Sequence, residues 1–301
     1  MHLYNAGFVA ANLDKHSSYY GQMTDAERRW RDSNPWCLES YHYVKKETQT
    51  KKMRKDGMKV FLDSGAYSAF SLGSTIDIGA YCDYCHQNSD IIAMASVLDA
   101  IGDYKGTYKN QMEMERRGVK ALPCYHYGEP YEVGLHYAEN YEYITLGGLV
   151  PISTPQMIKW LDEIFERVLC RPDGSLKCKV HGFGVTSPQV MLRYPWTSVD
   201  SSSWVQFGAF GNIFLPNFGQ SVTVSTRSPS AKQWGKHFTT FTKPQQEAIL
   251  AEIKANGGDL ERLSTLQFPR WSWNSWSLPE WVNRRLEGKP LKFNRPQPGL
   301  F

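Results

Sequence analysis

Short apolar segments recur along the first 200 residues of the chain, and most of them end in glycine or aspartate. Segments of this length, with mostly apolar and partly β-branched residues, are typical of strands that are buried on both faces of a sheet. They therefore predict a parallel sheet at the centre of the protein. The seven segments span residues 2–7, 60–65, 91–99, 120–125, 143–148, 179–184 and 196–200.

Stretches with helical spacing separate these predicted strands. Residues 107–117 end before Gly118, a residue type that commonly follows the last turn of a helix, and Pro155 opens a second helix over 156–169. Strands that alternate with helices indicate βαβ units. Seven strands before residue 220 favour a (β/α)8 TIM-like barrel over a doubly wound sheet, so we expect residues 1–220 to form that barrel. Neither a G-x-G-x-x-G nor a P-loop motif occurs, which disfavours dinucleotide and nucleoside triphosphate sites.

The composition changes after Gln220. Residues 221–301 contain 12 lysines and arginines against six acidic residues, whereas residues 1–220 contain 22 against 24. Five of the ten tryptophans also lie in this last stretch. We therefore expect a small basic, tryptophan-rich C-terminal subdomain over residues 221–301, which is also a candidate source of the eighth barrel strand.

Basic charge interleaved with aromatic rings is typical of nucleic-acid-binding surfaces, because cations neutralise phosphates and rings stack on unpaired bases. The alternative, a solvated helix face beside a tryptophan-rich core, fits the composition equally well. A second basic cluster lies at residues 45–55. The predicted nucleic-acid-binding residues are Lys45, Lys46, Lys51, Lys52, Arg54, Arg270, Trp271, Trp273, Arg284 and Arg285.

The six cysteines are too sparse for a secreted disulfide scaffold, which favours a reducing, cytoplasmic environment. Cys82, Cys85 and His86 have a metal-like spacing, but no second pair completes a four-ligand zinc site. Packing on one helix face is the favoured interpretation of the two cysteines, and metal binding remains an open alternative. No apolar run approaches the length of a membrane span, and residues 1–14 lack the pattern of a signal peptide.

Three aspartates stand where predicted strands end, namely Asp63, Asp99 and Asp200. The carboxyl ends of barrel strands meet at one face, which is where barrel enzymes carry their active sites. Each carboxylate on its own has an alternative role as a cap on the following helix. Together they suit chemistry at the anomeric carbon of a sugar, with one carboxylate as nucleophile and another moving protons.

Several of these strand ends resemble motifs of the tRNA-guanine transglycosylase superfamily. Residues 63–68 (D-S-G-A-Y-S) resemble the D-S-G-G-[FY]-Q motif, and residues 95–99 resemble the M-A-F-D segment. Residues 146–149 match the I-G-G-L turn, and residues 181–184 resemble the M-G-V-G strand end. Asp200 follows Gly184 by 16 residues, close to the interval that precedes the nucleophile in that family.

The resemblance implies roles for these residues. Asp200 would be the nucleophile and Asp63 the general acid and base. Asp99 would accept hydrogen bonds from the edge of guanine, and Tyr67 would stack on the base. The base-binding residues implied in this way are Asp99, Tyr67, Ser64, Gly147, Gly148, Leu149, His181 and Phe183.

Two departures from the motifs bear on the substrate. Tyr125-His126-Tyr127-Gly128 stands where the tRNA enzymes carry V-Q-G, whose glutamine reads the guanine O6. No cysteine follows Cys178, so the cysteine-rich zinc site of the tRNA enzymes has no counterpart. The chain in this respect resembles the phage- and bacteria-encoded 7-deazaguanine DNA transglycosylases. That branch implies DNA and a free 7-deazaguanine base as partners, with no metal or other cofactor. The alternatives are a tRNA transglycosylase, a glycoside hydrolase with the same carboxylate pair, and a non-catalytic nucleic-acid-binding protein.

Overall fold

A computed structural model describes residues 1–150 and 152–294, and its centre is one curled sheet of eight parallel strands surrounded by helices. The strands are β1 (His2–Ala6), β2 (Trp36–Ser40), β3 (Lys59–Asp63), β4 (Ile92–Ala95), β5 (Cys124–His126), β6 (Tyr143–Gly147), β7 (Lys179–Gly182) and β8 (Ser198–Ser201). Their order in the sheet is β4-β3-β2-β1-β8-β7-β6-β5. All seven strands predicted from the apolar segments are present.

The two outer strands of this order come close just beyond β4. Ser96 forms an isolated parallel bridge with Leu122, which precedes β5. The Val97 amide donates to the Leu122 carbonyl at 2.9 Å, and the Leu122 amide donates to the Ala95 carbonyl at 2.8 Å. The sheet is therefore curled enough for its edges to exchange backbone hydrogen bonds.

The eighth strand is β2, and this corrects the expectation that the C-terminal region supplies it. β2 pairs in parallel with both β1 and β3. Its sequence, W-C-L-E-S, contains Glu39, whose buried carboxyl group accepts a hydrogen bond from the Val9 amide at 2.8 Å. An acidic residue inside the segment conceals the apolar pattern that predicted the other strands.

Helices follow most of the strands. Within the described ranges, no helix combines the length and apolar character needed to cross a membrane. Phe165–Leu169 form a π-helical turn, and Phe238–Thr240 form a 3-10 turn. The α-helices are α1 (Ser18–Gln22), α2 (Asp25–Asp32), α3 (Tyr41–Val44), α4 (Glu47–Asp56), α5 (Ala66–Ser71), α6 (Ile78–Gln87), α7 (Tyr104–Arg116), α8 (Tyr131–Asn140), α9 (Thr154–Ile164), α10 (Pro188–Arg193), α11 (Ser203–Ala209), α12 (Lys243–Ala255), α13 (Leu260–Thr265) and α14 (Gln267–Leu286).

The interior of the curled sheet is filled by large side chains. Tyr4, Leu38 and Phe61 form one small buried cluster, and Phe183 packs against it. The rings of Phe61 and His181 lie 4.5 Å apart between centroids. Side chains from β1, β2, β3 and β7 therefore form a packed floor below the carboxyl ends of the strands.

The C-terminal region packs against the sheet and its helices. An antiparallel hairpin, β9 (Asn212–Leu215) with β10 (Gln220–Thr223), spans the expected boundary at residue 220, and residues 295–301 lie outside the described ranges. α14 contacts α2, α11, β9 and β1. The Asn5 side-chain amide in β1 donates to the Ser275 carbonyl in α14 at 2.9 Å, so the first strand and the last helix are joined directly.

Candidate active site

A cavity of about 690 Å³ lies at the carboxyl ends of the strands. The three strand-end aspartates, Asp63, Asp99 and Asp200, all line it. Parallel strands end at the same edge of a sheet, which explains why residues so far apart in sequence meet here. The predicted base-binding residues that also line the cavity are Tyr67, Gly147, Gly148, Leu149 and Phe183.

Asp63 is the last residue of β3, and a tight turn holds its carboxylate. The Gly65 amide donates to Asp63 Oδ2 at 3.0 Å. Gly65 has a φ of +76°, and a Cβ at this position would overlap Ser40 and His42, so only glycine fits. Burial raises the pKa of Asp63 to about 7, and the charges of Asp99 and Asp200 act in the same direction. The carboxyl group is thus poised to exchange a proton near neutral pH.

Asp200, in β8, is held by contacts from β7 and from the turn that follows β7. The Gly184 amide donates to Asp200 Oδ1 at 2.8 Å. His181 Nε2 lies 3.3 Å from the same oxygen. These contacts fix the position of one carboxylate oxygen on the wall of the cavity.

His181 belongs to a buried chain of polar groups that ends at Asp200. His181 Nδ1 lies 2.5 Å from Ser198 Oγ, which lies 2.6 Å from the Tyr143 hydroxyl. Burial lowers the pKa of His181, while Asp200 opposes that shift. The imidazole is therefore favoured in its neutral form.

Two of the predicted base contacts are wrong. The His181 ring is completely buried and is not among the residues that line the cavity, because it lies in the packed interior. Ser64 is also completely buried, and its backbone amide donates to Ser96 Oγ at 3.0 Å. Neither side chain can touch a ligand in the cavity without a rearrangement of the surrounding packing.

His126 and Glu129 form part of the site although the sequence did not single them out as functional. His126 Nε2 lies 3.4 Å from Asp99 Oδ2, and His126 Nδ1 lies 3.0 Å from Glu129 Oε1. Burial favours the neutral imidazole, but Cys124, Asp99 and Glu129 together raise the pKa of His126. Asp99 Oδ1 is buried and has no hydrogen-bond partner within the described ranges. The position of His126 as the last residue of β5 was the available signal, since the strand-end rule applies to it as well.

The same corner of the cavity contains side chains that could hold a metal ion. Asp99, Cys124 and His126 each offer a ligand atom, and these atoms lie within 4.8 Å of one another. Cys82 and Cys85, by contrast, are buried in the core on α6, as the packing interpretation predicts. The ring of His86 points elsewhere, with Nε2 at 2.9 Å from the Arg117 carbonyl.

Large apolar side chains are exposed around the mouth of the cavity. Tyr67 is 66% exposed, and Tyr127, Val150 and Ile101 are also exposed. All four line the cavity from loops or helix starts that follow strands β3 to β6. A rim of this kind leaves aromatic faces free to stack on a ligand that enters the cavity.

The basic cluster at residues 45–55 is only partly available to a polyanion. Lys51 pairs with Glu47 at 2.8 Å, Lys52 with Asp14 at 3.4 Å, and Arg54 with Asp90 at 2.6 Å. Lys45 and Lys46 are exposed between α3 and α4, and neither forms an ion pair within residues 1–150 and 152–294.

The predicted binding residues in α14 are mostly part of the core. Trp273 is completely buried and donates to the Phe214 carbonyl, and Trp271 is partly buried and donates to the Val205 carbonyl at 2.9 Å. Arg270 is buried and donates to the carbonyls of Gly208 and Leu263. The nucleic-acid-binding predictions for Trp273 and Arg270 are therefore wrong, because these side chains satisfy internal groups.

Arg284 and Arg285 are exposed near the end of α14. Arg284 pairs with Glu280 at 2.7 Å and shares a surface depression with Met1. Met1 precedes β1, so this depression lies at the amino-terminal ends of the strands. The structure therefore does not bring these two arginines together with the cavity.

Comparison of the sequence with models of known protein families and with curated proteins finds no match.

Proposed function

We propose that this chain is a base-exchange transglycosylase that replaces guanine in DNA with a 7-deazaguanine base through a covalent glycosyl-aspartate intermediate. The observation that carries the proposal is the convergence of Asp63, Asp99 and Asp200 on one cavity, with the pKa of Asp63 raised to about 7. Stepwise displacement at an anomeric carbon requires one carboxylate as the nucleophile and a second group that gives and accepts a proton. The backbone contacts between Ser96 and Leu122 also support a closed (β/α)8 barrel as the scaffold.

Asp200 acts as the nucleophile in this mechanism. Its free carboxylate oxygen attacks C1′ of the target deoxyguanosine, a C1′–O ester bond forms, and the bond from C1′ to guanine N9 breaks. The electron pair of that bond leaves with the guanine. The hydrogen bond from the Gly184 amide orients the carboxylate for this attack.

Asp63 moves the proton in both halves of the reaction. As a carboxylic acid it protonates the departing guanine, and as a carboxylate it then takes the N9 proton of the incoming 7-deazaguanine. The new base attacks C1′ and expels Asp200, so two inversions leave the configuration unchanged. A pKa near 7 suits a group that must give and accept a proton at neutral pH.

His181 positions Asp200 and does not contact the base. With Tyr143 donating to Ser198, and Ser198 donating to His181 Nδ1, the imidazole carries its proton on Nε2, which lies 3.3 Å from Asp200 Oδ1. A neutral donor at this distance holds the carboxylate without removing its negative charge, which the attack on C1′ requires.

Recognition of the base is assigned to the opposite wall. Asp99, which lines the cavity, accepts hydrogen bonds from the N1–H and the exocyclic amine. His126 contacts Asp99 and holds it in position, and the backbone of residues 147–149 provides further contacts to the edge of the base. Tyr67 and Phe183 supply aromatic faces to the ring. In this mechanism no step uses a metal or another cofactor.

DNA is the polymer partner in this proposal. The target nucleotide must leave the helical stack to enter the cavity, which costs roughly a few kcal/mol. The exposed apolar rim is suited to hold the unstacked strand, and so are Lys45 and Lys46, which form no ion pair with the described residues. All six cysteines are free and buried, which supports a reducing cytoplasm as the working environment. For a phage-encoded enzyme this would be the cytoplasm of the bacterial host.

The direct test is uptake of a radiolabelled 7-deazaguanine base into duplex DNA by the wild-type chain, with release of guanine measured in the same reaction. Uptake into DNA with matching guanine release is expected. Uptake into tRNA alone would favour the RNA enzyme, and release of base without uptake would favour a hydrolase.

A further inference from the structure

A second groove lies beside the catalytic cavity, between α7 and α8. It has a volume of about 500 Å³, within the range of about 300–1,000 Å³ that is usual for small-ligand sites. Tyr104 and Pro130 line both the groove and the cavity. Because Tyr104 begins α7 and Pro130 immediately precedes α8, the groove opens at the mouth where the strands end.

Aromatic rings form the walls of this groove. Tyr108 is 38% exposed, and its ring stacks on that of Tyr137 with centroids 6.5 Å apart. The His136 ring meets Tyr108 edge-on at 5.6 Å. Tyr108 thus has a face that no protein group covers completely, held in place from behind by two other rings.

Two lysine side chains line one side of the groove. Lys105 and Lys109 are four residues apart on α7, so they project from the same helix face, and both are exposed. Neither forms an ion pair with a carboxylate in the part of the chain that the structure describes. Glu132, on the α8 side, is the carboxylate among the lining residues. A ligand with one anionic edge and one flat apolar face matches this arrangement, provided that its anionic edge lies towards α7.

We propose that the groove is a subsite for one unstacked nucleotide next to the nucleotide that enters the catalytic cavity. The base stacks on Tyr108, and Lys105 and Lys109 neutralise the adjoining phosphates. This assignment rests on the proposed base exchange in a polynucleotide. It adds that the enzyme holds a single-stranded segment at its mouth, so that unstacking extends beyond the target base.

The test measures binding of a short fluorescein-labelled DNA single strand with one central guanine, by anisotropy, over a series of salt concentrations. Tyr108→Ala should weaken binding about tenfold, which corresponds to about 1.4 kcal/mol. Tyr108→Phe keeps the ring and should bind like the wild type. The Lys105→Ala/Lys109→Ala variant should lower the salt slope by about 0.7 for each phosphate that the two lysines neutralise in the wild type.

Lys120→Ala is the matched control, since Lys120 is exposed but precedes β5 at the opposite end of the strands. It removes a positive charge and should leave the salt slope unchanged. In the exchange assay, Tyr108→Ala should raise the KM for the oligonucleotide and leave the KM for the free base unchanged, which general damage to the fold would not do.

The subsite is refuted if Tyr108→Ala and the double lysine variant bind the strand like Lys120→Ala while the wild type exchanges bases normally. Absence of base exchange by the wild-type chain refutes the catalytic proposal instead. The two failures are therefore distinguished by separate measurements on the same preparations.

Discussion

Asp63 is expected to limit the stability of the protein in the pH range of its proposed catalytic role. Its pKa is about 7 in the folded state and 3.8 in the reference state of an unfolded chain. The folded protein therefore binds the proton more tightly than the unfolded chain does. As a result, the free energy of unfolding decreases as the pH rises between these two values. At about 1.4 kcal/mol for each pH unit, the total loss is about 4 kcal/mol.

Replacement of Asp63 by a neutral side chain removes this loss. The free energy of unfolding of Asp63→Asn, relative to wild type, should increase by about 1.4 kcal/mol per unit from about pH 4 to pH 7 and then level off. Between pH 5 and pH 7 the expected gain is about 2.3 kcal/mol, because the slope already falls as the pH approaches the pKa of the folded state. The same variant should lose base exchange while its binding of DNA is nearly unchanged, because it cannot move the proton.

Urea denaturation of both proteins at intervals from pH 5 to pH 8 measures the effect. Asp63→Ala is a second neutral variant, which loses the hydrogen bond from Gly65 but should show the same pH slope. A stability difference that stays constant across this range would contradict the raised pKa and with it the proposed role of Asp63 as acid and base.

Three further changes test the remaining parts of the proposal. Asp200→Asn should abolish both base exchange and the covalent DNA adduct detected by denaturing gel; an adduct in this variant would exclude Asp200 as the nucleophile. His181→Ala should lower kcat by about 10- to 100-fold with a smaller change in KM, by analogy with the loss of groups that orient a ligand in a metal site; an altered KM for the free base with normal kcat would contradict a positioning role. Lys45→Ala/Lys46→Ala should reduce the salt slope of duplex binding by up to about 0.9 for each phosphate contact, with Arg285→Ala as the control at the other end of the strands.

The fold was predictable where burial and hydrophobicity coincide. Seven strands read as apolar segments because both of their faces are covered. β2 was not recognised as an apolar segment, because it contains the acidic residue Glu39. This side chain is buried in the fold, and burial raises the pKa of its carboxyl group to about 8. A protonated, hydrogen-bonded glutamate inside a strand looks in sequence like a residue of a surface loop.

The site was predictable to the extent that strand ends identify it. Asp63, Asp99 and Asp200 meet because parallel strands share one edge, and this follows from order along the chain alone. The predictions for Arg270 and Trp273 were wrong because composition does not show whether a side chain faces solvent or is buried. Both side chains donate hydrogen bonds to buried carbonyl groups. Those partners lie in other elements and become neighbours only through the packing of α14.

The hydrogen bond between Asn5 and Ser275 has a consequence for how the chain folds. The two residues are 270 positions apart in the sequence, and the helix that contains Ser275 covers both β1 and α2. Contacts between such distant residues form slowly, because a long loop must close before they contribute. A chain that ends before residue 267 would lack the helix that covers α2 and α11, so we expect such a truncation to destabilise the whole fold.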